Sequence, residues 1–128
     1  MSTGLLWETE AILVVDDQAL MRDLVATICN RLGYNEVYVA DTGEKGLKFL
    51  RDNKIWLVLC DWHMGPMSGL ELLLAIRSDD VLRDTKFIMM TTQSNVSAVV
   101  AAKRAGVDGY ILKPFSPQAL ADTIAGIG

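Results

Sequence analysis

Apolar positions along the chain follow two alternating rhythms. Ala11-Ile12-Leu13-Val14-Val15 is an unbroken apolar run that ends in Asp16-Asp17, the pattern of a strand buried on both faces that empties into a polar site. Leu20, Leu24, Ile28 and Leu32 then recur every four residues, Met21 and Val25 widen the stripe, and Gly33 stands where a helix C-cap belongs. This predicts a helix of about four turns. Val37-Tyr38-Val39-Ala40 makes a short second strand, after which Asp41 or Thr42 can cap a helix carrying Leu47 and Leu50 on one face.

The alternation continues to the end of the chain. Ile55 to Cys60 reads as a strand ending in Asp61, and a loop with Gly65, Pro66 and Gly69 leads to a helix bearing Leu70, Leu73, Leu74 and Ile76. Phe87 to Met90 is a fourth strand ending in Thr91-Thr92. An Ala-rich helix from about Asn95 to Ala105 stops at Gly106, and Tyr110-Ile111-Leu112 is a fifth strand. Ser116 caps a last helix that has Pro117 at its first position and runs to about Ala125. Each strand is followed by a helix long enough for a right-handed crossover to a parallel neighbour. The predicted fold is therefore a doubly wound α/β sheet of five parallel strands and five helices. In such sheets ligands bind beyond the carboxyl ends of the strands. Residues 1–9 carry no motif and read as a loosely ordered leader, with Trp7 laid against the domain, which occupies 10–128.

Composition narrows the function classes. With 128 residues, 51% of them hydrophobic and 22% charged, the chain suits one domain with a substantial core. A net charge of −4 has the wrong sign for neutralising nucleic-acid phosphates, so direct DNA binding is not expected. No apolar run is long enough to span a bilayer, and membrane insertion is not expected. Cys29 and Cys60 sit in apolar segments as buried free thiols would in a reducing compartment, which points to the cytoplasm.

The predicted strand ends gather Asp16 and Asp17, Asp61, Thr91 with Thr92, and Lys113. Crowded carboxylates repel unless a cation neutralises them, and all-oxygen ligation favours a hard ion such as Mg²⁺, Mn²⁺ or Ca²⁺ over zinc. His63 is the only histidine, and zinc prefers several nitrogen or sulfur ligands. A carboxylate beside such a metal can attack phosphorus, with metal and ammonium balancing the charge on the transferring group. Lys113 is placed to supply the ammonium, and its bond to Pro114 can be cis.

In these residues the chain resembles the receiver domains of two-component response regulators, most closely the single-domain regulators of bacterial chemotaxis. The likeness covers about residues 10–126 and rests on Asp16-Asp17, Asp61, Thr91 and Lys113-Pro114-Phe115, in family order. It implies a flavodoxin-like strand order of 2-1-3-4-5, an order carried over from the family, since a chemotaxis regulator is itself a known example of it. It also implies that Asp61 is the phosphoacceptor, that Mg²⁺ is bound directly by Asp17, Asp61 and the His63 backbone carbonyl, and that Asp16 holds it through water. By the same resemblance Thr91 moves to the phosphoryl group, Lys113 pairs with it, and Tyr110 turns inward afterwards. The implied phosphodonor is a histidine kinase or phosphotransfer protein. The implied output is a target protein bound by the face of the fourth helix, fifth strand and fifth helix, where Lys103 and Arg104 also lie. With no effector segment after residue 126, the output is expected to be protein binding. The domain is expected to be a phosphoacceptor with slow self-dephosphorylation and not a turnover enzyme.

Two positions depart from the family pattern. Gly65 stands where Pro is usual, with Pro66 following, and Thr92 is larger than the common Ala or Gly. Gly65 adds backbone freedom to the loop, and Thr92 is expected to narrow access to Asp61. His63 and Gln93 are expected to shape the mouth of the site, where the family tunes dephosphorylation, and Met64 and Met67 to pack in the loop or core. An alternative reading is a pseudo-receiver that binds partners without phosphorylation. A phosphohydrolase of the haloacid-dehalogenase type wants its nucleophile two residues before a second Asp, a spacing the adjacent Asp16 and Asp17 lack.

Overall fold

Each of the five apolar runs forms a strand and each amphipathic segment a helix in the computed structural model, which describes residues 10–127. The leader and Trp7 lie outside the described residues. In chain order the elements are β1 (Ile12–Val15), α1 (Ala19–Arg31), β2 (Val37–Ala40), α2 (Gly43–Asp52), β3 (Leu57–Asp61), α3 (Gly69–Arg77), β4 (Lys86–Thr91), α4 (Val96–Ala105), β5 (Gly109–Leu112) and α5 (Pro117–Ile127). All pairings are parallel, and the order is β2-β1-β3-β4-β5, as expected.

The sheet separates two apolar layers because successive strand residues point to opposite faces. Leu13, Val15, Val58, Cys60, Phe87 and Met89 pack against Leu47 and Leu50 of α2 and Leu72, Leu73 and Ile76 of α3. Ile12, Val14, Leu57, Leu59, Ile88 and Met90 meet Val25, Ile28 and Cys29 of α1 and Leu120 and Ile124 of α5. Both layers are built of buried apolar side chains, and burial of each large aliphatic one contributes roughly 2 kcal/mol.

Two helix faces differ from their sequence reading. In α1, Leu20 is 85% and Leu24 52% exposed, Leu32 is also exposed, and the buried face is Val25, Ile28 and Cys29 with Met21 half-buried. A strict four-residue spacing drifts about 40° around a helix at each step, whereas the 21-25-28-29 set follows the 3.6-residue period and stays on one side. In α3 the same rule exposes Leu74 and buries Leu72 beside Leu73 and Ile76.

The helix ends obey their local chemistry. Thr42 caps α2 by accepting from the Lys45 amide, Ser68 and Glu71 form a reciprocal capping box on α3, and Ser116 accepts from the Ala119 amide. Gly33 and Gly106 take the left-handed φ values of +105° and +98° that close α1 and α4. At the amino edge of the sheet Arg77 uses all its guanidinium nitrogens. It bonds the carbonyls of Arg83, Thr85 and Gly106 and pairs with Asp108 at 3.0 Å, and Asp108 in turn accepts from the Phe87 amide.

The loop from β3 to α3 is held by close backbone approach. The Gly69 amide donates to the Trp62 carbonyl at 2.8 Å, and a Cβ on Gly69 would lie 2.2 Å from the Asp61 carbonyl oxygen. Met67 lies over Gly43 at the start of α2, and Met64 and Met67 both pack against the core, as expected. Gly65 is exposed, touches nothing within 4 Å and has a φ open to any residue, so the extra freedom expected there is not used in this structure. Gly69→Ala should therefore destabilise the fold by about 2–4 kcal/mol through backbone overlap. Gly65→Ala should be neutral or stabilising by up to about 1 kcal/mol. Urea denaturation of the two variants checks the contrast, and equal effects would contradict it.

Candidate functional site

Strand register explains why residues far apart in sequence converge. Val15 lies opposite Cys60, Asp61 opposite Met90, and Thr91 opposite Leu112. The next step along the chain places Asp16 beside Asp61, and Lys113 just beyond Thr91. All these positions stand at the carboxyl edge of the sheet, where strands give way to loops.

Asp16 is fully buried, and both oxygens of its carboxylate are engaged. One accepts from the Gln18 amide at 2.9 Å, and the other meets Lys113 Nζ at 3.2 Å. The same ammonium lies 3.2 Å from Asp61 Oδ1, so Lys113 bridges two strands' acids. The Lys113–Pro114 bond is cis. Asp17 is exposed and does not cap α1. Gln18 holds that position and makes no side-chain cap bond, which leaves the Asp17 carboxylate free to face the other two. Carboxylate oxygens of Asp16, Asp17 and Asp61 lie within 4.8 Å of one another.

Burial pushes the Asp61 carboxyl above its ordinary range. Lys113 draws it down and Asp16 pushes it up again, but desolvation is the larger effect. The donor set fits a hard divalent cation: three carboxylates crowd one small volume, all offer oxygen, and one ammonium leaves their charge partly uncompensated.

Thr91 is fully buried, and its Oγ1 accepts from the Gln93 amide at 3.0 Å. Half-buried Tyr110 donates its hydroxyl to the Gln93 carbonyl at 2.6 Å and stands edge-on to Trp62, with ring centroids 6.5 Å apart. His63 is exposed two residues beyond Asp61, with its Nε2 2.6 Å from Gln93 Nε2, so His63 and Gln93 meet across the mouth as expected. Thr92 is exposed beside them. Cys60 is buried and directs its thiol at the Asp61 carbonyl. Lys103 and Arg104 are exposed in the last turn of α4.

One contributor was missed in the sequence reading. Arg22 donates to the Asp16 backbone carbonyl at 3.0 Å and so steadies the acidic turn from one helical turn further on. Side chains on a helix lean towards its N-terminus, so a long cation in the first turn of α1 carried the signal.

Comparison with known proteins agrees with this geometry. The family model for the response regulator receiver domain matches residues 12–125. A Campylobacter jejuni protein named chemotaxis protein CheY homolog is 36% identical over 117 residues, 91% of this chain and 90% of its own length. Chemotaxis protein CheY1 of Helicobacter pylori is 40% identical over 114 residues, covering 88% and 92%. The solved structure of Vibrio cholerae chemotaxis protein CheY4 superposes with a TM-score of 0.88 at 28% identity, covering 94% of this chain and 99% of that one. The chain belongs to the response regulator receiver domain family. Receiver domains of this type are signalling switches. Among the described residues no helix is long and apolar enough to cross a membrane.

The raised Asp61 pKa sets a stability prediction. A carboxyl that holds its proton more tightly when folded adds stability below its unfolded pKa and loses that contribution as pH rises through the folded pKa. Asp61→Asn should thus stabilise the metal-free protein at pH 7 by on the order of 1 kcal/mol, about 4 °C in Tm. The gain should vanish at a pH low enough to protonate the aspartate in both states. Thermal melts across pH check this, and a Tm loss at pH 7 would contradict it.

Proposed function

We propose that this receiver domain is a phosphorylation-activated switch in which Asp61 accepts the phosphoryl group. The supporting observation is that Lys113 Nζ contacts Asp61 Oδ1 at 3.2 Å, inside a cluster of three carboxylates at the strand ends. With Oδ1 held by Lys113, the second carboxylate oxygen is left to attack. A new oxygen–phosphorus bond forms as the bond from phosphorus to the donor nitrogen breaks, and the donor is a phosphohistidine on a histidine kinase or phosphotransfer protein. The Lys113 ammonium neutralises charge gathering on the phosphoryl oxygens, which is where electrostatic catalysis acts. Asp17, Asp61 and the His63 carbonyl are the residues that would hold Mg²⁺, with Asp16 behind them, and the ion when bound would supply further charge compensation.

The switch follows from the bonds at Gln93. Thr91 Oγ1 is occupied by the Gln93 amide, and the Tyr110 hydroxyl by the Gln93 carbonyl. Thr91 keeps its hydroxyl proton free for a phosphoryl oxygen while accepting from Gln93, and for Tyr110 to turn inward its bond to the Gln93 carbonyl must be given up. That bond is worth about 1 kcal/mol net, a scale on which one added local charge can tip a two-state element. The output face is α4–β5–α5, where Val96, Val100 and Leu112 are exposed beside Lys103 and Arg104. A target protein is the proposed occupant, and the chemotaxis names of the relatives make chemotaxis signalling the proposed setting. DNA is not a proposed partner, since the net charge is −4.

The first test is incubation with Mg²⁺ and acetyl phosphate followed by intact-mass analysis. Wild type should gain a single phosphoryl group only when metal is present, and Asp61→Asn should gain none. No adduct from any donor, with no Mg²⁺ binding, would replace this proposal with the pseudo-receiver reading. Thr91→Ala should still be phosphorylated but lose the accompanying change at Tyr110, read as amide and ring shifts by NMR. An unchanged Tyr110 response in that variant would remove Thr91 from the switch.

A further inference from the structure

Gln93 carries a second set of bonds that the phosphoryl switch does not use. Its backbone serves Thr91 and Tyr110, while its side chain joins a run of polar groups leading from His63 to the first turn of α4. Asn95 is the N-cap of α4, and its Oδ1 accepts from the Ala98 amide at 2.8 Å. Asn95 Nδ2 donates to Gln93 Oε1 at 3.0 Å, and Gln93 Nε2 reaches His63 Nε2 at 2.6 Å.

The direction of this run is fixed from the helix end. A backbone N–H can only donate, so the Ala98 amide must face the Asn95 oxygen, and the Asn95 amino group must then face Gln93. That aligns Gln93 Oε1 with Asn95 and Gln93 Nε2 with the imidazole. His63 Nε2 must accept, which places the ring proton on Nδ1. Every polar atom along the run has one assignment, set by the free N–H groups at the start of α4.

We propose that the His63–Gln93–Asn95 side chains form a relay coupling the loop after Asp61 to the N-terminus of α4, in addition to the backbone bonds by which Gln93 holds Thr91 and Tyr110. Gln93 and Asn95 are positioning residues that act through His63. A shift of the loop pulls on the imidazole, Gln93 transmits the pull, and the cap at Asn95 loosens or tightens. Coupling free energy is reciprocal, so a protein that grips the first turn of α4 alters the loop by the same factor. The proposal deepens the reading of Asp61 as phosphoacceptor, yet the relay itself exists in the unphosphorylated protein and is testable there.

The experiment separates cap from relay with Asn95→Ser. Serine keeps a side-chain acceptor for the Ala98 amide but has no amino group to offer Gln93. Hydrogen exchange at the Ala98 amide is measured in four proteins: wild type, His63→Ala, Asn95→Ser and the double variant. His63→Ala should speed exchange on the order of 2- to 10-fold in the wild-type background, the scale of one net hydrogen bond. The same change should have no effect in the Asn95→Ser background. No acceleration in wild type, or equal acceleration in both backgrounds, overturns the relay.

A second arm adds Mg²⁺ and acetyl phosphate, with phosphoryl content read by mass. At equal phosphoryl content the Ala98 amide should shift less in Asn95→Ser than in wild type, and an equal shift overturns the proposal. Failure to form any adduct bears on Asp61 alone, because the exchange arm has already judged the relay.

Discussion

Lys113 stands between the acids of two neighbouring strands, 3.2 Å from an oxygen of Asp16 and 3.2 Å from one of Asp61, with Asp17 close by. Three carboxylates against one ammonium leave two negative charges uncompensated when all are ionised, in a place where Asp16 and Asp61 are shielded from water. That imbalance is stored electrostatic work. Burial raises the affinity of the Asp61 carboxyl for a proton, with Asp16 adding to the effect and Lys113 opposing it, and the three crowded oxygen donors suit a small hard dication. The two apolar layers on either face of the sheet hold the strands in register and so keep the acids from moving apart.

The same edge of the sheet joins chemistry to shape through one residue. Gln93 receives Tyr110 on its carbonyl, gives its amide to Thr91, and spans His63 and Asn95 with its side chain. A residue with all its polar groups committed does not yield to one contact at a time. The loop from β4 to α4 therefore has few intermediate arrangements, which is the property a switch needs.

Much of this was legible in the sequence. Unbroken apolar runs marked the strands, and polar residues at their ends named Asp16, Asp17, Asp61, Thr91 and Lys113 before any geometry was known. Two caps were read as well, Ser116 and, as one of two candidates with Asp41, Thr42, whereas Ser68 and Asn95 cap their helices without having been named as caps. The stripe of α1 was misread because a run of leucines draws attention to side-chain type, while burial follows angular position, and Val25, Ile28 and Cys29 hold the inner side. The Arg22 contact had a signal, a long cation in the first turn of α1, that was passed over. The Gln93 bonds were beyond reach, because they depend on where a loop places its polar groups, and no periodicity records that. The close approach at Gly69 is likewise a fact about the Asp61 carbonyl and not about the glycine's neighbours in sequence.

Arg77 gives α4 a mechanical asymmetry. Its guanidinium grips the Gly106 carbonyl immediately after the last turn of α4, and at the same time the chain leading into β4, so that end of the helix is pinned to the sheet. The other end, at Asn95, meets the mouth of the acidic site through the Gln93 side chain. A helix of ten residues is about 15 Å long. On a helix of that length a tilt of about 4° about the Gly106 end would carry the Asn95 end roughly 1 Å, so an adjustment beside Asp61 that reached Asn95 would be read as an angle of the whole helix.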